Sequence, residues 1–148
     1  MLRIVVSVVI NRPLQEVWDF FTDLRNSPRW TRSGSELRQT SDGALGLGAT
    51  IESRRRVLGR FEIKSQAILV TEYEPKRALS YAAKIPLLRG VGARLTFEPA
   101  EEGTRLTRST EVELRPALTW LQPILARVLR SAQETELANL KRLIEARA

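Results

Sequence analysis

The chain has 148 residues, an apolar share of 43%, a charged share of 28% and a net charge of +7, the make-up of an ordinary globular domain of default size. It contains no cysteine and no histidine. Disulfides and thiolate chemistry are therefore excluded, and the commonest general base and metal ligand are missing. Any catalysis must rest on carboxylates, Tyr, Lys, Arg or water, and no metal or cofactor is implied. Twenty of the 24 basic residues are Arg. A basic balance can serve nucleic acid or an anionic membrane. The charges are scattered, however, and the one tight cluster is Arg54, Arg55, Arg56 and Arg60. On a strand the triplet points to alternating faces and forms no one-sided patch, so no specific nucleic-acid partner is expected.

The opening "MLRIVVSVVI" is too short to span a membrane and lacks a cleavage site after it. Its β-branched residues predict a first strand over residues 2–10, and a cytoplasmic protein by default. Asn11 offers a cap and Pro13 suits a first helical turn. Leu14, Val17, Trp18 and Phe21 follow at spacings 0, 3, 4 and 7, one face of a helix. Phe20 and Leu24 broaden that stripe. Asn26, Ser27 and Pro28 break it, and Trp30 falls in a second short helix or turn. Four of the nine aromatic residues thus sit between positions 18 and 30.

A short strand is predicted over Glu36–Thr40, then a turn at "SDGALGLG". Two long arms, 49–57 and 61–73, flank Gly59 as a hairpin. Strands follow around 79–85, 93–97 and 106–114, the last with Leu106, Arg108, Thr110, Val112 and Leu114 on one side. The loop "KIPLLRGVG" could gate a mouth or touch a membrane transiently, or simply tuck onto the fold. Pro116 closes the last strand. From there Leu118, Leu121, Leu125, Val128, Ala132, Leu140 and Leu143 mark an amphipathic helix of about 30 residues. Its other side carries Arg127, Arg130, Glu134, Glu136, Lys141 and Glu145. Pro123 should kink it or start a fresh helix. Strands in a run with helices at the ends indicate an α+β fold with an antiparallel sheet, in one domain over residues 1–148.

The stretches "INRPLQEVWDFFTDLRNSPRW", "ILVTEYEPKRALSY", "LTFEPAEEGTRLT" and "ELANLKRLIE", in this order, resemble the SRPBCC superfamily (START-like, birch-pollen-allergen-like), in its polyketide cyclase/dehydrase-like branch. The resemblance implies a helix-grip fold: a curved seven-stranded antiparallel sheet wraps a long C-terminal helix, with two short helices after strand 1. It also implies a hydrophobic cavity between sheet and C-terminal helix, holding a lipid, polyketide or aromatic ligand. Fold alone does not fix function.

The candidate ligand-binding residues are Phe20, Trp30, Tyr81, Phe97, Arg108, Thr110, Leu121, Leu125 and Val128. Trp30 brings an apolar face and an N–H donor, or plugs the core. Arg108, on the inward side of its strand, needs a carboxylate such as Glu52 or Glu72, or an anionic ligand, unless a bulge turns it outward. Tyr81 could bond a ligand carbonyl or act as an acid, or be a satisfied core tyrosine. The small residues Ser65, Ala67, Ala82, Ala83 and Ala93 could leave a void beneath the helix. Glu101, Glu102, Glu111 and Glu113 read as solvated. Three functions follow. The first is binding or transport of a hydrophobic small molecule. The second is a cyclase or dehydratase using Tyr81 and Arg108 as catalytic residues. The third is a basic module for RNA, ribosome or anionic membrane. A monomer and a homodimer are both compatible with the sequence.

Overall fold

The structure is a computed structural model that describes residues 1–31, 36–57, 61–84 and 88–147, with backbone alone at 55–57 and 61–67. The hairpin tip at Gly59, the side chains of Arg55, Arg56, Arg60, Ser65 and Ala67, and the loop residues Ile85 and Leu87 lie outside this description.

Strand β1 (Leu2–Ile10) leads into helix α1 (Leu14–Thr22), a 3-10 turn (Leu24–Asn26) and the one-turn helix α2 (Ser27–Trp30). Strands β2 (Glu36–Gln39), β3 (Thr50–Val57), β4 (Phe61–Glu74), β5 (Ala78–Ala83), β6 (Leu88–Ala100) and β7 (Gly103–Leu114) follow. A 3-10 segment (Pro116–Leu121) then runs into helix α3 (Gln122–Glu145). The strands form one seven-stranded sheet in the order β1-β7-β6-β5-β4-β3-β2, antiparallel at each pairing. Bulges interrupt β3 near Ile51, β4 near Val70 and β6 near Leu88, and such bulges bend and twist strands. This is the helix-grip architecture.

The alternation read in the sequence sets which face of the sheet is buried. Leu2, Ile4, Val6 and Ile10 of β1 are buried, as are Thr104, Leu106, Thr110 and Val112 of β7 and Ala93, Leu95 and Phe97 of β6. Val5, one residue out of phase, is 43% exposed. Ala82 is exposed on the outer face, whereas Ala83 is half-buried. The Glu101, Glu102, Glu111 and Glu113 side chains are exposed.

Pro123 lies in the first turn of α3, so the chain makes a fresh start there rather than a kink, and the helical segment of about 30 residues divides into a 3-10 stretch of 6 and an α-helix of 24. A proline in a first turn withholds an N–H that has no intrahelical partner anyway. The buried stripe of α3 is Gln133, Leu137, Leu140 and Ile144; of the expected row Leu140 belongs to it, Leu125 and Leu143 pack against the core, and Val128 is 54% exposed. Asn11 does not cap α1. Pro13 holds the N-cap position without a side-chain bond, and the Asn11 N–H donates instead to the Glu145 carboxylate at 2.7 Å.

Further contacts seat α3 on β1 and its following turn. Arg12 donates to the Glu145 carbonyl at 2.6 Å, and Lys141 donates to the Val9 carbonyl and to Glu145. Opposite them, Thr104 donates to the Arg12 carbonyl at 2.9 Å. Beside it Gly103 has φ +150°, and a Cβ there would collide with the Ile10 carbonyl and the Arg12 backbone, so only glycine fits.

The Lys141 ammonium, the Asn11 N–H and the nearby charges hold the Glu145 carboxyl below its ordinary 4.5. A carboxylate favoured in the folded state stabilises above its unfolded pKa and loses that contribution as pH falls through the folded one. Thermal midpoints of the wild type should therefore drop below about pH 4.5. The drop should be shallower in Glu145→Gln, measured by circular dichroism in a pH series.

Candidate functional site

The site begins with the aromatic residues of α1 and α2. Trp18 stands edge-on to Tyr73 and Phe97, with ring centroids at 5.6 and 5.0 Å. Phe97 meets Phe21 at 5.7 Å, and Phe21 meets Trp30 at 5.5 Å. A continuous chain of rings therefore runs from the sheet to α2. Phe20 points elsewhere. It is 1% exposed, with the Arg29 and Arg147 guanidiniums at 5.9 and 5.3 Å from its ring. The expected roles of the two phenylalanines are exchanged: Phe20 is core and Phe21 reaches the cavity.

That cavity has a volume of about 110 Å³. Phe21, Thr22, Leu24, Ser27 and Trp30 cover it from the short helices. Leu37 of β2, Leu45 of the following turn, Ile51 of β3, Ile68 and Val70 of β4, and Leu79 and Tyr81 of β5 form the rest. It therefore lies between the short helices and the β2–β5 half of the sheet. No residue of α3 lines it, in contrast to the expectation of a void between sheet and C-terminal helix. Large aliphatic side chains line it, and of the described small residues proposed to create it, Ala82, Ala83 and Ala93 are not among them.

The lining is apolar but for a few groups. Ser27 Oγ and Trp30 Nε1 are both buried without a hydrogen-bond partner among the described residues. An unpaired buried polar group costs about 1–3 kcal/mol, and both belong to residues that line the same small space. The third polar group is the Tyr81 hydroxyl, which accepts from Arg108 Nη2 at 3.1 Å.

Arg108 does point inward, opposite Leu95 on β6, with the nearest β6 irregularity far off at Leu88. Its carboxylate partner is neither Glu52 nor Glu72. Glu52 pairs with Arg54 at 2.9 Å, and Glu72 accepts from Ser80 and Arg94 at 2.6 and 2.9 Å. Arg108 Nη1 instead meets Glu136 of α3 at 3.1 Å, each side chain 16% exposed. Glu136 therefore faces the sheet, not solvent. Burial opposes the Arg108 charge. The Tyr81 hydroxyl and Glu136 carboxylate outweigh it, and its pKa sits above the ordinary arginine value. Arg108 Nε is buried without a partner among the described residues.

Of the expected lining residues, Trp30 and Tyr81 border the cavity, and Arg108 adjoins it through Tyr81. Phe97 stands one ring behind Phe21. Thr110 is buried and accepts from Gln133 Nε2 at 2.8 Å. Leu121 and Leu125 are half-buried and Val128 is exposed, all away from this space. Sequence reasoning missed Ser27, Leu37, Leu45, Ile51, Ile68, Val70 and Leu79, which converge from separate segments. Among the described residues no group of three His, Cys, Asp or Glu side chains could hold a metal. No helix among them is long and apolar enough to cross a membrane.

Chemically, a guanidinium that donates to a phenol oxygen leaves the phenol proton free to be offered elsewhere. Hydrogen bonds in such a chain polarise one another. The arrangement can thus hold an apolar group beside a tyrosine whose phenol proton is left to donate.

Comparison with solved structures finds the same fold. Protein NE0264 from Nitrosomonas europaea superposes with a TM-score of 0.76 at 14% identity, over 97% of this chain and 94% of that one. The di-domain ARO/CYC BexL from the BE-7585A biosynthetic pathway gives 0.80 at 16%, over 98% of this chain and 47% of its own. Ara h 8.0201 gives 0.73 at 10%, over 98% of both. At these identities the likeness is one of fold. Comparison with curated proteins finds no match. The family model described as polyketide cyclase / dehydrase and lipid transport matches residues 1–145. With that match over nearly its whole length and a helix-grip sheet beneath it, the chain belongs to the polyketide cyclase/dehydrase and lipid transport family, the branch of the SRPBCC superfamily that its sequence resembles.

Proposed function

We propose that the protein binds a hydrophobic small molecule, as one helix-grip unit over residues 1–148, and holds an apolar ring or short acyl segment of it in the cavity beneath α1 and α2. The observation that carries this reading is a largely apolar space, two of whose lining residues, Ser27 and Trp30, keep Oγ and Nε1 buried without a hydrogen-bond partner among the described residues. Pockets that bind small molecules combine such apolar lining with a few placed polar groups. A ligand carbonyl or hydroxyl oxygen would satisfy either group once a side-chain rotation turned it toward the space, and Tyr81 lines the same space. The volume of about 110 Å³ is below the roughly 150 Å³ of a dry cavity that takes benzene, so the group it holds is no larger than a single ring. A whole lipid or polyketide needs roughly 300 Å³ or more, so a larger guest would have to displace the short helices.

The test separates ligand binding from stability. In the free protein, Trp30→Phe and Ser27→Ala remove unpaired groups, so denaturant midpoints should be unchanged or slightly raised. Affinity for acetophenone, measured by calorimetry, should fall about three- to tenfold for each lost hydrogen bond. Native mass spectrometry of protein from its own host should show an apolar guest. An empty protein there, with equal acetophenone affinity in wild type and variants, would end this reading.

One observation favours the cyclase or dehydratase reading as a second. The chain Glu136–Arg108–Tyr81 ends at the cavity, and Tyr81 could donate to a carbonyl oxygen as it gains charge. Against it, the described lining residues include no carboxylate, amine or other base for the partner proton transfer. Turnover of a poly-β-ketone that is lost in Tyr81→Phe would select this reading.

A further inference from the structure

The first half of α3 presents an apolar row to solvent. Trp120 is 70% exposed, Ile124 60% and Val128 54%. The two helical members lie nine residues before Gln133 and Leu137 of the buried stripe. Nine residues make two and a half helical turns, so Ile124 and Val128 point directly away from the core. None of the three lines the cavity. Contiguous exposed apolar surface of this kind marks an interaction site.

The charges along this segment of the chain are of one sign. Arg115, Arg127 and Arg130 are all exposed, and no acidic residue occurs between Glu113 and Glu134. Arg130 reaches the Val5 carbonyl on β1 at 3.2 Å, and Val5 is itself 43% exposed. On the helix Arg127 flanks the row, on a long stem that can lie along apolar surface with its head in a polar layer, while Arg130, three residues before Gln133, sits on the β1 side.

We propose that this face docks on the surface of a bilayer containing anionic lipids. A convex apolar row bearing a tryptophan, with cations beside it, matches a helix lying in the plane of the headgroup–acyl boundary. Phospholipid anions complement the three arginines. A second copy of the chain does not: a two-fold contact through the same row would set the arginine clusters against each other. This inference is independent of the ligand proposed for the cavity.

Tryptophan emission gives a direct readout, because Trp18 and Trp30 are only 5% and 6% exposed and a change on binding reports Trp120. Vesicles of phosphatidylcholine with and without phosphatidylserine serve as the probe. Emission should shift to the blue with the anionic vesicles, with partitioning at least about tenfold stronger than with phosphatidylcholine alone and weakened by salt. The triple variant Trp120→Ser, Ile124→Ser, Val128→Ser should lose vesicle flotation while its unfolding midpoint stays unchanged. Arg127→Glu with Arg130→Glu should abolish the preference for phosphatidylserine. The proposal is overturned if anionic vesicles do not bind the wild type at low salt, or if the triple variant floats as the wild type does. It is also overturned if ultracentrifugation shows a dimer that the triple variant loses.

Discussion

Arg108→Met should destabilise the protein by about 3 kcal/mol, the lower part of the range for removing one member of a buried pair. The lower part applies because each side chain keeps 16% of its exposure. For a chain of this length that is a fall of roughly 6–12 °C in the thermal midpoint. Two groups lose a partner at once: Glu136 loses its guanidinium, and the Tyr81 hydroxyl loses the donor that polarises it. Arg108→Lys should recover only part of the loss, since a single ammonium cannot serve two acceptors in the fixed fork of a guanidinium. The double variant Arg108→Met, Glu136→Leu should return close to wild-type stability, because replacing a whole buried pair by apolar groups is often neutral. Urea unfolding of the four proteins in a double-mutant cycle measures this coupling. A double variant as unstable as the sum of the singles would show that Arg108 stabilises by packing and not through Glu136.

That pair also shows where sequence reading stops. The periodicities of two and 3.6 carried the strands and helices well: β1 runs over the nine residues expected, and the spacing of Leu14, Val17, Trp18 and Phe21 does mark α1. The inward side of β7 was legible too, and Arg108 lies on it. Its partner was not. Glu136 is a charge on an amphipathic helix, and such a charge reads as solvated until the residue opposite it is known. Arg108 lies 28 positions away in the chain. The α3 stripe was misplaced for a related reason. Gln133, a polar residue, occupies a buried position because Thr110 answers it, and Val128, an apolar one, is left in water. A reading that assigns apolar residues to the core inverts both.

The cavity was the least legible feature. A void belongs to no residue type; it is what remains when side chains from two short helices, four strands and a turn stop short of one another. Trp30 and Tyr81 were identifiable because each carries a polar group on an apolar body. Leu37, Leu45 and Ile68 carry no such mark and differ from other core residues only in what they fail to touch. The exchange of Phe20 and Phe21 follows from α1 being covered on two sides. Arg147 beyond the end of α3 and Arg29 of α2 close over the Phe20 ring, so a stripe drawn for one buried face leaves out a residue buried on the other.

Trp18→Ala should cost about 3–5 kcal/mol, the range for truncating a large buried aromatic. Trp18 is 5% exposed and holds the middle of the ring chain, with Tyr73 on one side and Phe97 on the other. Its loss removes two edge-to-face contacts, each worth about 0.5–1.5 kcal/mol beyond burial, and opens a cavity that rigid strands on β4 and β6 cannot fill. Trp18→Phe should cost much less, about 1.5 kcal/mol, since a ring is kept. The effect should reach the site as well. Phe97, released on its Trp18 side, supports Phe21, and Phe21 lines the ligand space. Trp18→Ala should therefore weaken acetophenone binding even where the variant remains folded, while Trp18→Phe preserves it. Denaturant midpoints and calorimetric affinities of the two variants together test the link. A Trp18→Ala protein within about 1 kcal/mol of wild type would mean that burial of the α1 tryptophan does not carry the stability expected of it. An unchanged affinity in that variant would detach the ring chain from the cavity it is argued to shape.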